Sequence, residues 1–262
     1  MDPERRRLWA VGDVQGFLAP FQRVLQEHDL VDDSGRWIAG GATLVVVGDL
    51  VDRGPDGVGV IDSLMRLQQA AAERGGRVVV LIGNHDIQLL AARNFGDAFT
   101  TAWLEAGGVP HDLDALSDAH ATWLRDLPAV VVDRDVLFMH ADAMFYLEFG
   151  ATVAEVNAEF RRVLEADDPV AWKRLLARFE EHRAFVEPDG EANLEEYLQT
   201  FGVRQVVHGH TPVPRMLRVP PETVTAAYVY CGGRCVNVDP GIYLGGPGFA
   251  YLVAEPPPTI AR

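Results

Sequence analysis

The sequence predicts an α/β fold built on a doubly wound or layered sheet, and three observations carry that expectation. Short apolar runs at Leu8–Val11, Thr43–Val47 and Arg77–Ile82 alternate with amphipathic stretches. The runs carry no polar alternation, as strands covered on both faces in a parallel sheet do not. Each run ends in a glycine-flanked polar cluster, and open α/β sheets carry ligand chemistry at the carboxyl ends of their strands. Strand–helix alternation of this kind calls for right-handed crossovers.

Taken in order, Leu8–Val11 ends in Gly12-Asp13-Val14-Gln15-Gly16, and Leu18, Phe21, Val24 and Leu25 then recur at helical spacing. The strand at Thr43–Val47 runs into Gly48-Asp49-Leu50-Val51-Asp52-Arg53-Gly54. A helix from Val58 to Arg74 presents Val60, Ile61, Leu64 and Leu67 on one face and closes at Gly75-Gly76. The strand at Arg77–Ile82 ends in Gly83-Asn84-His85-Asp86, from which a helix continues. The stretch 94–127 reads as helix and loop without a strand. Residues 129–132 and 136–139 read as an antiparallel pair ending in His140-Ala141-Asp142. Residues 152–186 are helical and charged, and are expected to wall the site. Another helix over 193–201 precedes a strand at Val203–Val207, which ends in His208-Gly209-His210-Thr211. Strands at 227–230, 235–238 and 249–253 alternate as antiparallel strands do. The proline-rich tail from Glu255 is expected to be extended.

The 262 residues, 48% hydrophobic, suit a single domain with a helical wall at about 150–200. No run approaches the roughly 18 apolar residues of a membrane span. The N-terminal residues lack the apolar segment of a secretory signal, so a cytoplasmic protein is expected. Lys and Arg number 23 against 38 Asp and Glu, a net charge of −15. Such a surface repels nucleic acid, and an anionic substrate must be drawn in by local positive charge. Cys231 and Cys235 lack the second ligand pair of a structural zinc and read as ordinary thiols.

Five strand ends thus present Asp13, Asp49, Asn84, His140 and His210. One such residue is more often a cap or a satisfied polar group. Five together suit Mn²⁺, Fe or Zn²⁺ over a metal that prefers thiolate. A carboxylate shared by two cations makes a two-metal site about 3.5–4 Å across, suited to a phosphoryl group.

In this order the motifs resemble those of the calcineurin-like metallophosphoesterases: G-D-x-H-G, G-D-x-x-D-R-G, G-N-H-[DE], a strand-end His and G-H-T. The Asp52-Arg53-Gly54 ending resembles the phosphoprotein-phosphatase branch. Residues 64–68, 75–76, 81–85 and the close at Asp239–Gly246 resemble the bacterial Shewanella-type phosphatases. The resemblance implies mixed β-sheets in a sandwich flanked by helices, with a helical cap insert. It implies two divalent ions, Mn²⁺ foremost. Asp13 and Gln15 would serve the first, Asp49 both, and Asn84, His140 and His210 the second. It implies Arg53 as the phosphate grip, His85 as leaving-group acid held by Asp52, and Arg183 and Tyr243 at the substrate mouth. Asp239 reads as supporting a turn, and His208 as a strand-end histidine bonded to backbone, with a place near the metals as the alternative. His28, His111, His120 and His182 read as surface or helix residues.

One departure stands out. The family carries His where this chain has Gln15, and a neutral amide oxygen is the poorer ligand for a transition metal. Either Gln15 ligates through Oε1 and the first site favours a harder ion, or that site fills only with added metal. The implied activity is a phosphatase acting on phosphoprotein or small phosphomonoesters. The alternatives are hydrolysis of dinucleoside polyphosphates, and binding of phosphorylated partners without turnover. No nucleic-acid polymer or membrane partner is expected.

Overall fold

The computed structural model describes residues 7–186 and 188–254; the N-terminal run and the proline-rich tail lie outside them. The first half runs β1 (Leu8–Val11), α1 (Leu18–Glu27), β2 (Thr43–Val46), α2 (Gly57–Glu73), β3 (Arg77–Val80) and α3 (Asn84–Phe95). The three strands pair in parallel with Leu8 beside Thr43 and Thr43 beside Arg77. They therefore end level, and the three polar clusters rise side by side from one edge. Helix α2 starts where the Asp56 carboxylate accepts from Gly59 N. It buries Val60, Ile61, Leu64 and Leu67, the expected stripe.

Helices α4 (Asp97–Glu105), α5 (Pro110–Ala115) and α6 (Asp118–Asp126) fill the stretch in which no strand is expected. β4 (Val130–Asp133) and β5 (Val136–Met139) form the antiparallel hairpin. Its two turn residues, Arg134 and Asp135, both take positive φ, as a type I′ turn requires. The next helices are α7 (Tyr146–Phe149), α8 (Val153–Glu165), α9 (Pro169–Arg178) and α10 (Gly190–Phe201). Then follow β6 (Gln205–His208), α11 (Val213–Leu217), β7 (Tyr228–Tyr230), β8 (Cys235–Asn237) and β9 (Tyr251–Leu252).

The strands form two sheets, ordered β3-β2-β1-β9 and β4-β5-β6-β8-β7. Both are mixed. Each of the last three strands makes an antiparallel pairing, as expected, but they do not all pair with one another. Only β7 and β8 pair that way; β8 lies parallel to β6, and β9 crosses to the first sheet to pair antiparallel with β1. Runs of two or three residues carry too little pattern to assign a neighbour. The full burial of β8 is the mark of a central strand.

Alternate side chains sort onto two faces. Leu8, Ala10, Val45, Val47 and Val79 pack with Val136, Phe138, Val207, Val236 and Val238 between the sheets. Trp9, Val11, Leu44, Val46, Val78 and Val80 turn outward into the helical layer. This is the expected sandwich flanked by helices. No helix among the described residues is long and apolar enough to cross a membrane. Both cysteines are free.

Candidate metal centre

The first-sheet loops meet because two positions have no Cβ. Gly48 takes φ +101°, and a Cβ there would lie 2.7 Å from Gly83 N. At Gly83 it would lie 2.3 Å from Asp49 N. Asp86 fastens the same crossing. Its carboxylate accepts from Gly83 N, Asp49 N and Leu50 N at 2.8–3.0 Å.

Four acceptor atoms converge at this crossing. Asn84 Oδ1 lies 3.0 Å from His140 Nε2 and 2.9 Å from His210 Nδ1. The two imidazole nitrogens are 3.2 Å apart, and His140 Nε2 is 3.3 Å from Asp49 Oδ1. The far nitrogen of each ring fixes its tautomer. His140 Nδ1–H donates to Val47 O at 2.8 Å, and His210 Nε2–H to Phe179 O at 3.1 Å. The near nitrogens are thereby left as lone pairs. Burial pushes both rings below the ordinary histidine pKa, His210 to about 3, with the neighbouring His140 adding to the fall. Two neutral imidazoles, an amide oxygen and a carboxylate oxygen facing one point repel one another unless a cation lies between them. Atoms of Asp49, His140 and His210 all lie within 4.8 Å of each other. The donor set fits a divalent ion of intermediate hardness.

Asp13 and Asp239 crowd the other side of Asp49. Asp13 Oδ1 accepts from His210 N at 3.1 Å, while Oδ2 has no hydrogen-bond partner among the described residues. Burial, then the charges of Asp239 and Asp49, push the Asp13 carboxyl well above its usual range. Asp239 Oδ1 accepts from Gly241 N, so this residue supports its turn, but Oδ2 is buried without a partner among the described residues. Burial pushes Asp239 up to about 7. Gln15 lies here too, 1% exposed. Its amide does not point an oxygen at the carboxylates: Nε2 donates to Asp49 Oδ2 at 3.3 Å, and Oε1 accepts from Arg53 Nη1 at 2.8 Å.

Above these groups opens a cleft of about 310 Å³ lined by Arg53, His85, Arg183 and Tyr243, among others. Arg53 stacks over the Tyr243 ring, its guanidinium carbon 4.0 Å from the centroid. Arg183 takes φ +65°, and its Nε is buried without a partner among the described residues. His85 Nδ1–H donates to Asp52 Oδ2 at 2.8 Å, which leaves Nε2 for the cleft. Burial pushes this ring's pKa down. The Asp49 charge and the Asp52 hydrogen bond push it up by more, to above the ordinary value.

All eleven residues singled out in the sequence therefore gather in one region. Three neighbours carried no sequence signal. Trp103, from α4, donates Nε1–H to Asp52 Oδ1 at 2.8 Å, behind the His85–Asp52 pair. Arg215, from α11, lies over Tyr243 at 5.5 Å. His182, expected as a surface or helix residue, is exposed and also lines the cleft, its ring centroid 6.4 Å from that of His210. His208 bonds to Gly209 O and the Tyr230 hydroxyl, away from the convergence point.

A family model for calcineurin-like phosphoesterases matches residues 6–214. The chain belongs to this family. Calcineurin-like phosphoesterases hydrolyse phosphoric esters with divalent metal ions. Among curated relatives, Shewanella-like protein phosphatase 1 of Plasmodium berghei is 22% identical over 91% of this chain and 67% of its own length. A symmetrical bis(5′-nucleosyl)-tetraphosphatase of Janthinobacterium is 33% identical over 64% of this chain and 55% of its own length. The chain thus spans about half to two-thirds of these relatives. The cold-active protein-tyrosine phosphatase of a psychrophilic Shewanella superimposes with a TM-score of 0.75 at 24% identity. That likeness spans 95% of this chain and 76% of the other, and speaks for the fold. In this calcineurin-like phosphoesterase the layered sheets carry the same role as in any α/β fold: they bring chemistry to one edge.

Proposed function

We propose that the protein is a metal-dependent phosphomonoesterase acting on phosphoprotein or small phosphate esters. The observation that carries this reading is the convergence of Asp49, Asn84, His140 and His210 beneath a cleft that also holds Arg53 and the His85–Asp52 pair. Asn84, His140, His210 and Asp49 would hold one divalent ion, and Asp13 and Asp49 a second, with Mn²⁺ foremost. When bound, such ions polarise a phosphoryl group and acidify water. The chain's own residues do the rest. Arg53 and Arg183 present guanidinium forks to phosphate oxygens. Tyr243 keeps Arg53 aimed by stacking on it. His85 Nε2 delivers a proton to the leaving oxygen, and Asp52 keeps Nδ1 protonated and the ring oriented.

Hydrolysis of p-nitrophenyl phosphate with Mn²⁺, beside Asp49→Asn, tests the reading. We expect activity that requires metal and falls by at least about a hundredfold in the variant. Metal-independent or undiminished activity overturns it. Binding without turnover is disfavoured by His85 and Asp52, since a binder needs no leaving-group acid.

A second reading, hydrolysis of a P–O–P bond in dinucleoside polyphosphates, draws support from Arg215, a further cation on the Tyr243 ring. Rates on a phosphopeptide and on diadenosine tetraphosphate separate the two. Arg215→Ala is expected to weaken KM for the tetraphosphate and leave that for the phosphopeptide within about twofold. Equal effects on both remove the support.

A further inference from the structure

We infer that Gln15 is a positioning residue, and that its amide makes loading of the first metal position and anion capture by Arg53 depend on one another. The inference rests on the hydrolase reading above. An arginine side chain only donates, so the Gln15 atom 2.8 Å from Arg53 Nη1 is Oε1. The atom 3.3 Å from Asp49 Oδ2 is then Nε2, an N–H group. The amide is a strut between the bridging carboxylate and the phosphate-gripping guanidinium. Toward Asp49 it shows a donor, where a cation needs a lone pair.

A half turn of the amide would present Oε1 to that side. It would also set the amide N–H groups against the guanidinium, donor against donor. The two orientations therefore exclude each other while Arg53 stays where it is. Other adjustments are closed off. The Gln15 backbone takes φ +46°, and its N–H donates to Asp49 O at 2.8 Å. Its carbonyl oxygen lies only 2.3 Å from where a Gly54 Cβ would sit, so the two loops are in close contact. The side chain is 1% exposed, which leaves no solvent to take over either bond.

An anion in the cleft changes the balance by drawing the guanidinium toward itself. Gln15 Oε1 loses its donor and is free to face the carboxylates. The first position then offers Asp13, Asp49 and Gln15 oxygens alone, and Asp13 Oδ2 already lacks a partner among the described residues. A donor set of oxygens suits Mn²⁺ or Mg²⁺ better than Zn²⁺. Coupling of this kind is reciprocal: what tightens the metal through Arg53 tightens the anion through the metal.

The test is a double-mutant cycle read by Mn²⁺ binding, not turnover. Metal-depleted full-length protein is titrated with Mn²⁺ and free ion is counted by electron paramagnetic resonance. The proteins are the native chain, Arg53→Ala, Gln15→His and the double substitution, with melting curves to confirm folding. The native chain is expected to bind one Mn²⁺ tightly and a second at least about tenfold more weakly. Arg53→Ala should tighten the second by about threefold or more with Gln at position 15, and by much less in the Gln15→His background. An equal factor in both backgrounds means Arg53 acts by charge alone and overturns the inference. Two equally tight ions in the native chain do the same, yet leave the hydrolase reading standing. If the native chain binds no Mn²⁺ tightly, or Asp49→Asn leaves the tight site unchanged, the hydrolase reading itself fails.

Discussion

Asp52 sits at φ +68°, and Gln15, Asp49, Arg53, Arg183 and His210 also lie in the left-handed region. Each such non-glycine residue costs on the order of 1 kcal/mol. Six of them around one cleft mean that aim has been retained over local stability. Asp52 shows what the aim achieves. One oxygen holds His85 and the other accepts from Trp103, so the carboxylate cannot rotate without losing a bond. Trp103→Phe keeps an aromatic side chain, though a smaller one, and removes the N–H. We expect kcat to fall about tenfold, the equivalent of about 1.4 kcal/mol in the barrier, with KM unchanged. A matching rise in KM would instead place Trp103 in substrate binding. The sequence shows why His85 and Asp52 are readable and Trp103 is not. The first two stand in glycine-flanked clusters at strand ends. Trp103 arrives from a helix with ordinary amphipathic spacing, and only tertiary packing turns its indole N–H toward Asp52. Arg215 arrives from α11 in the same way, whereas His182 stands in the irregular stretch between α9 and α10.

Among elements, the loops after β1, β2 and β3 could be read because three parallel strands in level register leave their ends side by side. What holds the loops together is less visible. Asp86 looks like an ordinary acidic residue in a first helical turn, yet it binds two loops across the crossing. Gly83 looks like a turn residue, but its missing Cβ is a steric necessity. Gly83→Ala would force a methyl group to within 2.3 Å of Asp49 N and 2.2 Å of Asp49 Oδ1. Backbone cannot yield there as a flexible side chain would. The substitution is expected to destabilise by about 1–3 kcal/mol, read as a lower melting temperature, and to abolish tight Mn²⁺ binding. Native stability with intact metal binding would show that the crossing is softer than its geometry implies. The closing strands are less legible in the sequence. β9 pairs with β1 at two register positions, and two residues of alternation cannot name a partner some 240 positions earlier.

At the scale of the molecule, the four converging residues come from positions 49, 84, 140 and 210, at elements of both sheets. An unfolded chain keeps such groups apart, so a divalent ion at this point selects the folded state alone. The net charge of −15 adds a second reason, because carboxylates gathered by folding repel one another until a cation sits among them. Stabilisation should then follow mass action: at free metal one hundred times Kd it is about 2.7 kcal/mol. For a chain somewhat above 250 residues, each kcal/mol moves the midpoint by about 2–4 °C. Saturating Mn²⁺ should therefore raise the melting temperature of chelator-treated protein by about 5–10 °C. Asp49→Asn should remove most of that rise. Arg183→Ala, which alters the mouth of the cleft and none of the four ligands, should keep it. A chain that melts at the same temperature with and without Mn²⁺ would mean that the four groups do not form an ion site in solution.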